Sequence, residues 1–73
     1  MGNVHLYYKS SDGKKADIEY KHVTAVRAGT ALQILGKDDC RGNGIRESAP
    51  VITLYFDDGE QATFDADNVT LLL

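Results

Sequence analysis

The sequence lacks several features that would restrict its class. It contains one cysteine, Cys40, so an internal disulfide and a zinc site built from several cysteines are excluded. It has no continuous apolar run long enough to span a bilayer. The N-terminal residues Met-Gly-Asn-Val contain no basic segment followed by an apolar one, so we expect no signal peptide. A single small cytoplasmic domain covering residues 1–73 is the expectation.

Basic residues are absent from the last third of the chain. Residues 47–73 hold six acids and no Lys or Arg, a net charge of -6, whereas residues 1–46 hold eight bases and five acids, a net charge of +3. The overall charge of -3 argues against a protein whose affinity comes from phosphate contacts. The asymmetry is typical of a solvated surface, or of a molecule suited to head-to-tail association or to a basic partner.

No motif in the sequence indicates catalysis or metal binding. Asp38 and Asp39 precede glycines, but the ligand spacing of a calcium loop is missing. Cys40 adjoins Arg41, and no histidine lies near it in the sequence to act as a base. His5 and His22 are interpreted as ordinary surface residues. We therefore predict no catalytic, cofactor-binding or metal-binding residues, and no enzymatic activity.

Residues 51–65 predict a β-hairpin. Apolar residues alternate with polar ones on both sides of the sequence Asp57-Asp58-Gly59. A three-residue loop gathers the apolar side chains on one face, whereas a one-residue slip would scatter them. Gly59 is then expected at positive φ, as in a type I turn with a glycine bulge. The predicted cross-strand pairs are Leu54 with Ala62 and Ile52 with Phe64.

The first third of the chain resembles this hairpin and predicts an internal repeat. Asp12-Gly13 aligns with Asp58-Gly59, and the match continues without gaps to Val23 and Thr24, which align with Val69 and Thr70. Upstream, the alignment of Leu6 with Leu54 requires a first loop two residues longer. The predicted first-hairpin pairs are Tyr8 with Lys14, Leu6 with Ala16 and Val4 with Ile18. A short helical turn is expected at residues 66–68 and again at 20–22.

The segments between the hairpins are less regular. Residues 24–35 are interpreted as two short strands around a turn at Gly29-Thr30, with a helix as the alternative because Gly36 would suit its C-terminal end. Residues 37–50 are predicted to be a long mobile loop, with Ile45 as its only large apolar residue. Pro50 favours an extended Ala49 and leads into the next strand.

The pattern as a whole predicts an all-β fold. Short strands joined by glycine turns resemble a small SH3-like or Sm-like barrel, or a strongly bent sheet, built from two related hairpins. The alternative is an α+β fold in which residues 24–35 are helical. This resemblance concerns the fold alone and implies no function. The side chains expected to face the core are Val4, Leu6, Tyr8, Ala16, Ile18, Tyr20, Val26, Leu32, Ile34, Ile52, Leu54, Phe56, Ala62, Phe64, Val69 and Leu71.

The candidate functional residues are those of a binding surface. Tyr7 and Tyr55 are expected to point away from the core, and tyrosine is enriched at protein interfaces. Leu72 should also point outward, and Arg41 and Arg46 lie in the long loop, which completes the predicted partner-binding set. The leading hypothesis is a non-enzymatic protein-interaction module that associates with itself. The alternative is a small nucleic-acid-binding barrel, in which the tyrosines would stack on bases.

Self-association is expected to give a homodimer. A core of about sixteen mostly small or medium side chains leaves a domain of this size little stability, and oligomerisation is a common remedy. The chain ends in Leu71-Leu72-Leu73, and a strand with Leu71 inside leaves Leu72 outside. A terminal strand with an open edge would also favour pairing with a second copy. The alternative is a monomer whose long loop covers that edge.

Overall fold

The computed structural model describes residues 2–10 and 12–72 and consists mostly of β-structure. The sequence predicts a last strand over residues 69–73, and of these Leu73 lies outside the described residues. No helix in the described ranges is long and apolar enough to cross a membrane. The elements in chain order are β1 (Gly2–Lys9), β2 (Lys15–Thr30), α1 (Ala31–Leu35), α2 (Lys37–Gly42), β3 (Pro50–Phe56), β4 (Gln61–Asp65), a 3₁₀ helix (Ala66–Asn68) and β5 (Val69–Leu72).

The five strands form one antiparallel sheet in the order β4-β3-β2-β1-β5. The long strand β2 belongs to two halves of this sheet, because its first half pairs with β1 and its second half pairs with β3. The register shifts between Val23 and Ala25 at the junction of the halves, and His22 has a φ of 64°. This bulge turns the chain between the half β5-β1-β2 and the half β2-β3-β4.

The sheet must curve, because its two edge strands are consecutive in the chain. β4 and β5 are joined only by the 3₁₀ helix, so four Cα–Cα steps, at most about 15 Å, connect them. In a flat sheet these strands would be roughly 19 Å apart. β4 and β5 nevertheless remain the edges of the described sheet, and no pairing between them closes a barrel. The predicted β-rich fold is therefore confirmed, whereas barrel closure is not.

The strand β3 is buried on both faces. We call the side that carries Leu54 the core face and the opposite side the outer face. On the core face Leu54 packs with Val4 and Val23, and both halves of the sheet contribute partly buried side chains around them. These neighbours are Tyr20, Val26, Phe56, Phe64 and Leu71. On the outer face Val51 packs against Ala31 of α1 and Cys40 of α2.

The second hairpin has the predicted register. Leu54 lies opposite Ala62, and Ile52 lies opposite Phe64. The Phe56 N–H donates to the Glu60 carbonyl at 2.9 Å, and Gly59 has a φ of 88°. A side chain would be strained at that φ, so the glycine allows the turn to close. The turn predicted at residues 66–68 is also confirmed, since the Asp65 carboxylate accepts from the Asp67 N–H at 3.1 Å.

The predicted register of the first hairpin is wrong by two residues. Leu6 lies opposite Ile18 and Tyr8 lies opposite Ala16, so the additional loop residues do not exist. The Ser10 N–H donates to the Lys14 carbonyl at 2.8 Å, as Phe56 does to Glu60 in the second hairpin. The two turns therefore correspond without a gap. A shift of two preserves the side-chain facing, which is why the core face was still assigned correctly.

One further prediction for this region fails. Residues 20–22 form no helical turn and instead continue β2 through the positive φ of His22. The first strand of each hairpin has an equivalent outer neighbour, because β1 pairs with β5 and β3 pairs with the second half of β2, which the sequence match aligns with β5. The correspondence between the hairpins therefore includes their turns and the order of their neighbours.

Residues 24–35 combine both interpretations offered for them. β2 continues to Thr30, and the predicted turn and return strand are replaced by the helix α1. A capping box starts this helix, since the Thr30 hydroxyl accepts from the Gln33 N–H at 3.2 Å and the Gln33 side chain accepts from the Thr30 N–H at 3.1 Å. Leu32, predicted to face the core, is consequently 45% exposed.

The segment 37–50 is not a loop throughout. Its first six residues form α2, and the Cys40 side chain is buried against β3. The Ile45 N–H donates to the Cys40 carbonyl at 2.9 Å, and the Leu32 N–H donates to the Glu47 carbonyl at 3.0 Å. These bonds tie the second half of the segment to both helices. The segment 37–50 therefore covers the outer face of β3, not the free edge of the terminal strand β5.

Candidate interaction surface

Tyr7 and Leu72 lie close together on the outer face of the β1–β5 pair. Tyr7 is opposite Thr70 and His5 is opposite Leu72, so Tyr7 and Leu72 are diagonal neighbours on adjacent strands. Tyr7 is 39% exposed and Leu72 is 53% exposed. We call the side chains of His5, Tyr7, Thr70 and Leu72 the β5 patch. Two of the five predicted partner-binding residues therefore share one surface.

The side chains next to Tyr7 restrain its ring. The His5 ring stacks on the Tyr7 ring with centroids 5.2 Å apart and an angle of 27° between the planes. His5 is held in turn from β2, because its Nε2 atom lies 2.6 Å from Asp17 Oδ1. A restrained aromatic side chain loses little rotamer entropy on binding, which suits Tyr7 to an interface.

Exposed apolar side chains are concentrated in this half of the sheet. Five large hydrophobic residues are exposed in the described ranges, and four of them lie on β1, on β5 or on the first half of β2. Tyr7 and Leu72 belong to the outer face. Tyr8 and Ile18 belong to the core face and are 38% and 40% exposed. They lie at the end of the β1–β2 pair that the other half of the sheet does not cover. The alternation that placed Tyr8 and Ile18 inward gave no sign of this exposure.

The free edge of β5 carries no charge. Its residues Val-Thr-Leu-Leu include no acid, base or proline, and β1 occupies only one of its two edges. The other edge strand, β4, ends in Asp65 and follows an acidic turn. Proteins commonly protect exposed strand edges with charges, prolines or bulges. β5 is therefore the less protected of the two edges.

The turn of the first hairpin is basic and borders a cavity. Lys9 lies directly opposite Lys15, and both side chains line a cavity of about 340 Å³ together with Tyr7 and Tyr8. The Ser10 hydroxyl donates to the Asp12 carboxylate, and the Lys14 N–H donates to it as well. These hydrogen bonds lower the pKa of Asp12 below its usual value. This carboxylate therefore stabilises the turn.

The remaining predicted partner-binding residues lie elsewhere. Tyr55 is half-buried on the outer face and lies opposite Ala25 of β2. Tyr7 lies opposite Asp17, eight residues earlier on the same strand. Arg41 is exposed on α2, and Arg46 is exposed in the segment after it. The structure therefore does not combine the five residues into one site.

The two histidines and the cysteine of the described residues lie on three different elements, β1, β2 and α2. No group of three metal-ligating side chains occurs in the part of the chain that the structure describes. His22 Nδ1 lies 3.5 Å from Asp57 Oδ2, but both side chains are more than half exposed. The Cys40 thiol is buried and only 1% exposed, between Ala31 and Val51. The accessible features of this protein are surfaces, an open strand edge and charged turns.

Comparison of the chain with protein-family models, with curated proteins and with solved structures finds no match.

Proposed function

We propose that this protein is a non-enzymatic interaction module that associates with a second copy of itself. The observation that carries the proposal is the β5 patch beside an uncharged, unpaired strand edge. Antiparallel pairing of β5 with β5 of a second copy would satisfy the free backbone groups on both edges. A two-fold axis relates such strands, so each copy contributes the same surface.

The same pairing would bring apolar side chains together. Tyr7 and Leu72 flank the edge on the outer face, where the corresponding residues of the partner would extend the surface. Full burial of a leucine contributes about 1.5–3 kcal/mol, so burial of the 53% of Leu72 that is exposed contributes about half of that, and the symmetric contact counts it twice. Tyrosine adds apolar area and a hydroxyl group with few rotatable bonds. The backbone pairing would set the register, and the side chains would supply most of the affinity.

Three further properties belong to this proposal. We infer that the curved sheet is a partly open barrel of the SH3-like kind, since the bend in β2 and the 3₁₀ helix between the edge strands both support it. Arg41, Arg46 and Tyr55 are proposed to contact other partners, because they lie away from β5. The free thiol at Cys40 suits a reducing compartment, which supports a cytoplasmic location.

Substitution of Leu72 tests the proposal. Leu72→Asp places a charge within the β5 contact, so we expect the dissociation constant of the dimer to rise about a hundredfold or more. Light scattering coupled to size-exclusion chromatography would measure the mass. Leu32→Asp is the matched control, because Leu32 is also an exposed leucine but lies on α1. An unchanged dimer in Leu72→Asp, or equal loss in both variants, would rule out the β5 contact.

Nucleic-acid binding is the second candidate, and one observation favours it. Lys9 and Lys15 line the same cavity as Tyr7 and Tyr8, which combines positive charge with aromatic rings. The overall charge of -3 weighs against this function. For this candidate we expect the protein to be retained on immobilised single-stranded DNA at low salt. High salt should abolish the retention, and Lys15→Ala should weaken it.

A further inference from the structure

The two hairpin turns have matching backbone geometry. In the first turn Gly13 N–H donates to the Ser10 carbonyl at 3.0 Å, and in the second Gly59 N–H donates to the Phe56 carbonyl at 3.1 Å. An aspartate carboxylate accepts from the backbone two residues on in both turns. These bonds are Lys14 N–H to Asp12 at 3.2 Å and Glu60 N–H to Asp58 at 2.9 Å.

The two turns carry opposite charges. The basic turn, residues 9–15, holds three lysines and one acid, and that acid is engaged in the turn itself. The acidic turn, residues 57–60, holds Asp57, Asp58 and Glu60 and no base. Lys14 of the basic turn corresponds in position to Glu60 of the acidic turn. The Asp57, Lys14 and Glu60 side chains are all exposed.

No ion pair among the described residues includes a lysine of the basic turn. Like charges directly opposite each other on paired strands are destabilising, and Lys9 faces Lys15 in this way. Both ion pairs within residues 2–10 and 12–72 involve a histidine, so neither neutralises a lysine of this turn. A negatively charged partner would relieve the repulsion.

The acidic turn of the same chain is too far away to be that partner. Asp57 lies beside His22, and Lys15 is seven residues before His22 on the extended strand β2. At about 3.3 Å per residue these positions are roughly 23 Å apart. This separation far exceeds the 4 Å of an ion pair and is more than twice the screening length of about 8 Å in physiological salt.

We infer that the basic turn of one copy binds the acidic turn of another. The partner is a second copy of this chain, identified by its charge and by a turn that projects three exposed carboxylates. The cavity beside Lys9 and Lys15, which Tyr7, Tyr8 and Asp17 also line, would receive the backbone of the incoming turn. This contact is distinct from pairing at the β5 edge.

The contact joins two different surfaces, so it is heterologous. Each copy has one basic turn and one acidic turn, and a contact of this kind continues from copy to copy unless it closes into a ring. Exposed ion pairs are weak and are screened by salt. Association through the turns is therefore expected at low ionic strength and should disappear at high ionic strength, whereas a β5 dimer should persist.

A charge exchange between two variants tests the inference. The experiment uses Leu72→Asp as the background, which removes the β5 contact. Variant A adds Lys9→Glu and Lys15→Glu, and variant B adds Asp57→Lys and Glu60→Lys. Asp58 is left unchanged because its carboxylate accepts a turn hydrogen bond. Sedimentation velocity in about 20 mM and about 500 mM salt would measure the association.

The inference predicts loss in each variant and recovery in the mixture. Variant A has two acidic turns and variant B has two basic turns, so either alone should associate at least tenfold more weakly than the background protein in low salt. An equimolar mixture of A and B should associate again in low salt and separate in high salt. Circular dichroism of each variant would confirm that it is folded.

A matched mixture excludes attraction by net charge alone. Variant C carries Lys9→Ala and Lys15→Ala together with Asp38→Lys, Asp39→Lys and Glu47→Lys in the same background, so its net charge equals that of B, but it has no basic turn. Recovery with B and not with C supports turn-to-turn binding. Recovery with both, no loss in A or B, or no recovery with B would overturn it. Binding of a labelled single-stranded oligonucleotide to the background protein, abolished in A, would assign the basic turn to nucleic acid instead.

Discussion

Thr53 Oγ1 lies 2.8 Å from Thr63 Oγ1 across the β3–β4 pair, and the two hydroxyl groups have very different environments. Thr53 is only 1% exposed, whereas Thr63 is exposed. A buried hydroxyl without a partner costs about 1–3 kcal/mol, but an exposed hydroxyl can bond to water. The exposed threonine therefore satisfies a polar group inside the protein.

This relationship predicts that substitution of the exposed threonine is the more damaging. Thr63→Val leaves the Thr53 hydroxyl buried without its partner, so we expect a loss of about 1–2 kcal/mol in the free energy of unfolding. Thr53→Val removes the buried hydroxyl and keeps its shape, so its loss should be smaller. Urea unfolding of both variants would compare them. A larger loss in Thr53→Val would contradict this account of the pair.

The acidic turn depends on a glycine conformation. Gly59 has a φ of 88°, and no atom lies within 4 Å of the position that a Cβ would occupy, so Gly59→Ala would be strained by its backbone and not by a clash. We expect a loss of about 1–2 kcal/mol. Gly42→Ala is the control, because Gly42 is helical, also has free space around it and should be neutral or slightly stabilising. Thermal unfolding followed by circular dichroism measures both, and similar melting temperatures for the two variants would count against the turn geometry.

His22 is held in an unfavourable backbone conformation. It is the one non-glycine residue at positive φ in the described ranges, and its carbonyl accepts from the Asp57 N–H at 3.0 Å. His22→Gly should relieve the strain, keep that bond and raise the free energy of unfolding by about 1 kcal/mol. Lys21→Gly, at an ordinary strand position next to it, should lower the free energy by about 0.5–1 kcal/mol. Chemical denaturation would measure the free energy of unfolding of both variants. A lower value than the unmodified protein in both would contradict the prediction.

The reactivity of Cys40 should report the opening of α2. The thiol is 1% exposed between Ala31 and Val51, so a thiol reagent can reach it only when α2 leaves the sheet. We expect alkylation in native buffer to be at least about a hundredfold slower than in denaturant. Ser48→Cys in a Cys40→Ala background provides an exposed thiol in the same segment for calibration. Equally rapid labelling at both positions would show that α2 is not docked.

The second hairpin was predictable because two independent signals agree. Its apolar alternation and its Asp58-Gly59 turn select the same register. In the first hairpin these two signals disagreed. The residue types along the strand favoured aligning Leu6 with Leu54, whereas the turn favoured aligning Tyr8 with Leu54. The structure follows the turn. Apolar strand residues are interchangeable, whereas few sequences suit a glycine at positive φ.

The helices could be recognised only from their caps. Five and six residues are too few for a helical period, so neither α1 nor α2 shows one. Thr30 and Gln33 have the spacing of a capping box, which was the available signal for α1. His22 at positive φ has no sequence signal, because nothing local distinguishes it from a strand residue.

The candidate surface was predictable only in part. Alternation placed Tyr7 and Leu72 outward, which the structure agrees with, but their proximity depends on β5 pairing with β1. That neighbour relationship is set by the curvature of the whole sheet. Tyr55 was grouped with Tyr7 by the supposed repeat, and the bend in β2 separates the two. That Lys9 and Lys15 lie directly opposite each other follows only from the observed register of the first hairpin.

Sedimentation equilibrium of the unmodified protein tests the central claim, self-association at the β5 edge, most directly. The measurement is made at tens of micromolar and in high salt, where contacts between the charged turns are screened. The account predicts a species of twice the chain mass of 8.0 kDa that is retained in Leu32→Asp and lost in Leu72→Asp. A single species of 8.0 kDa in the unmodified protein would contradict it.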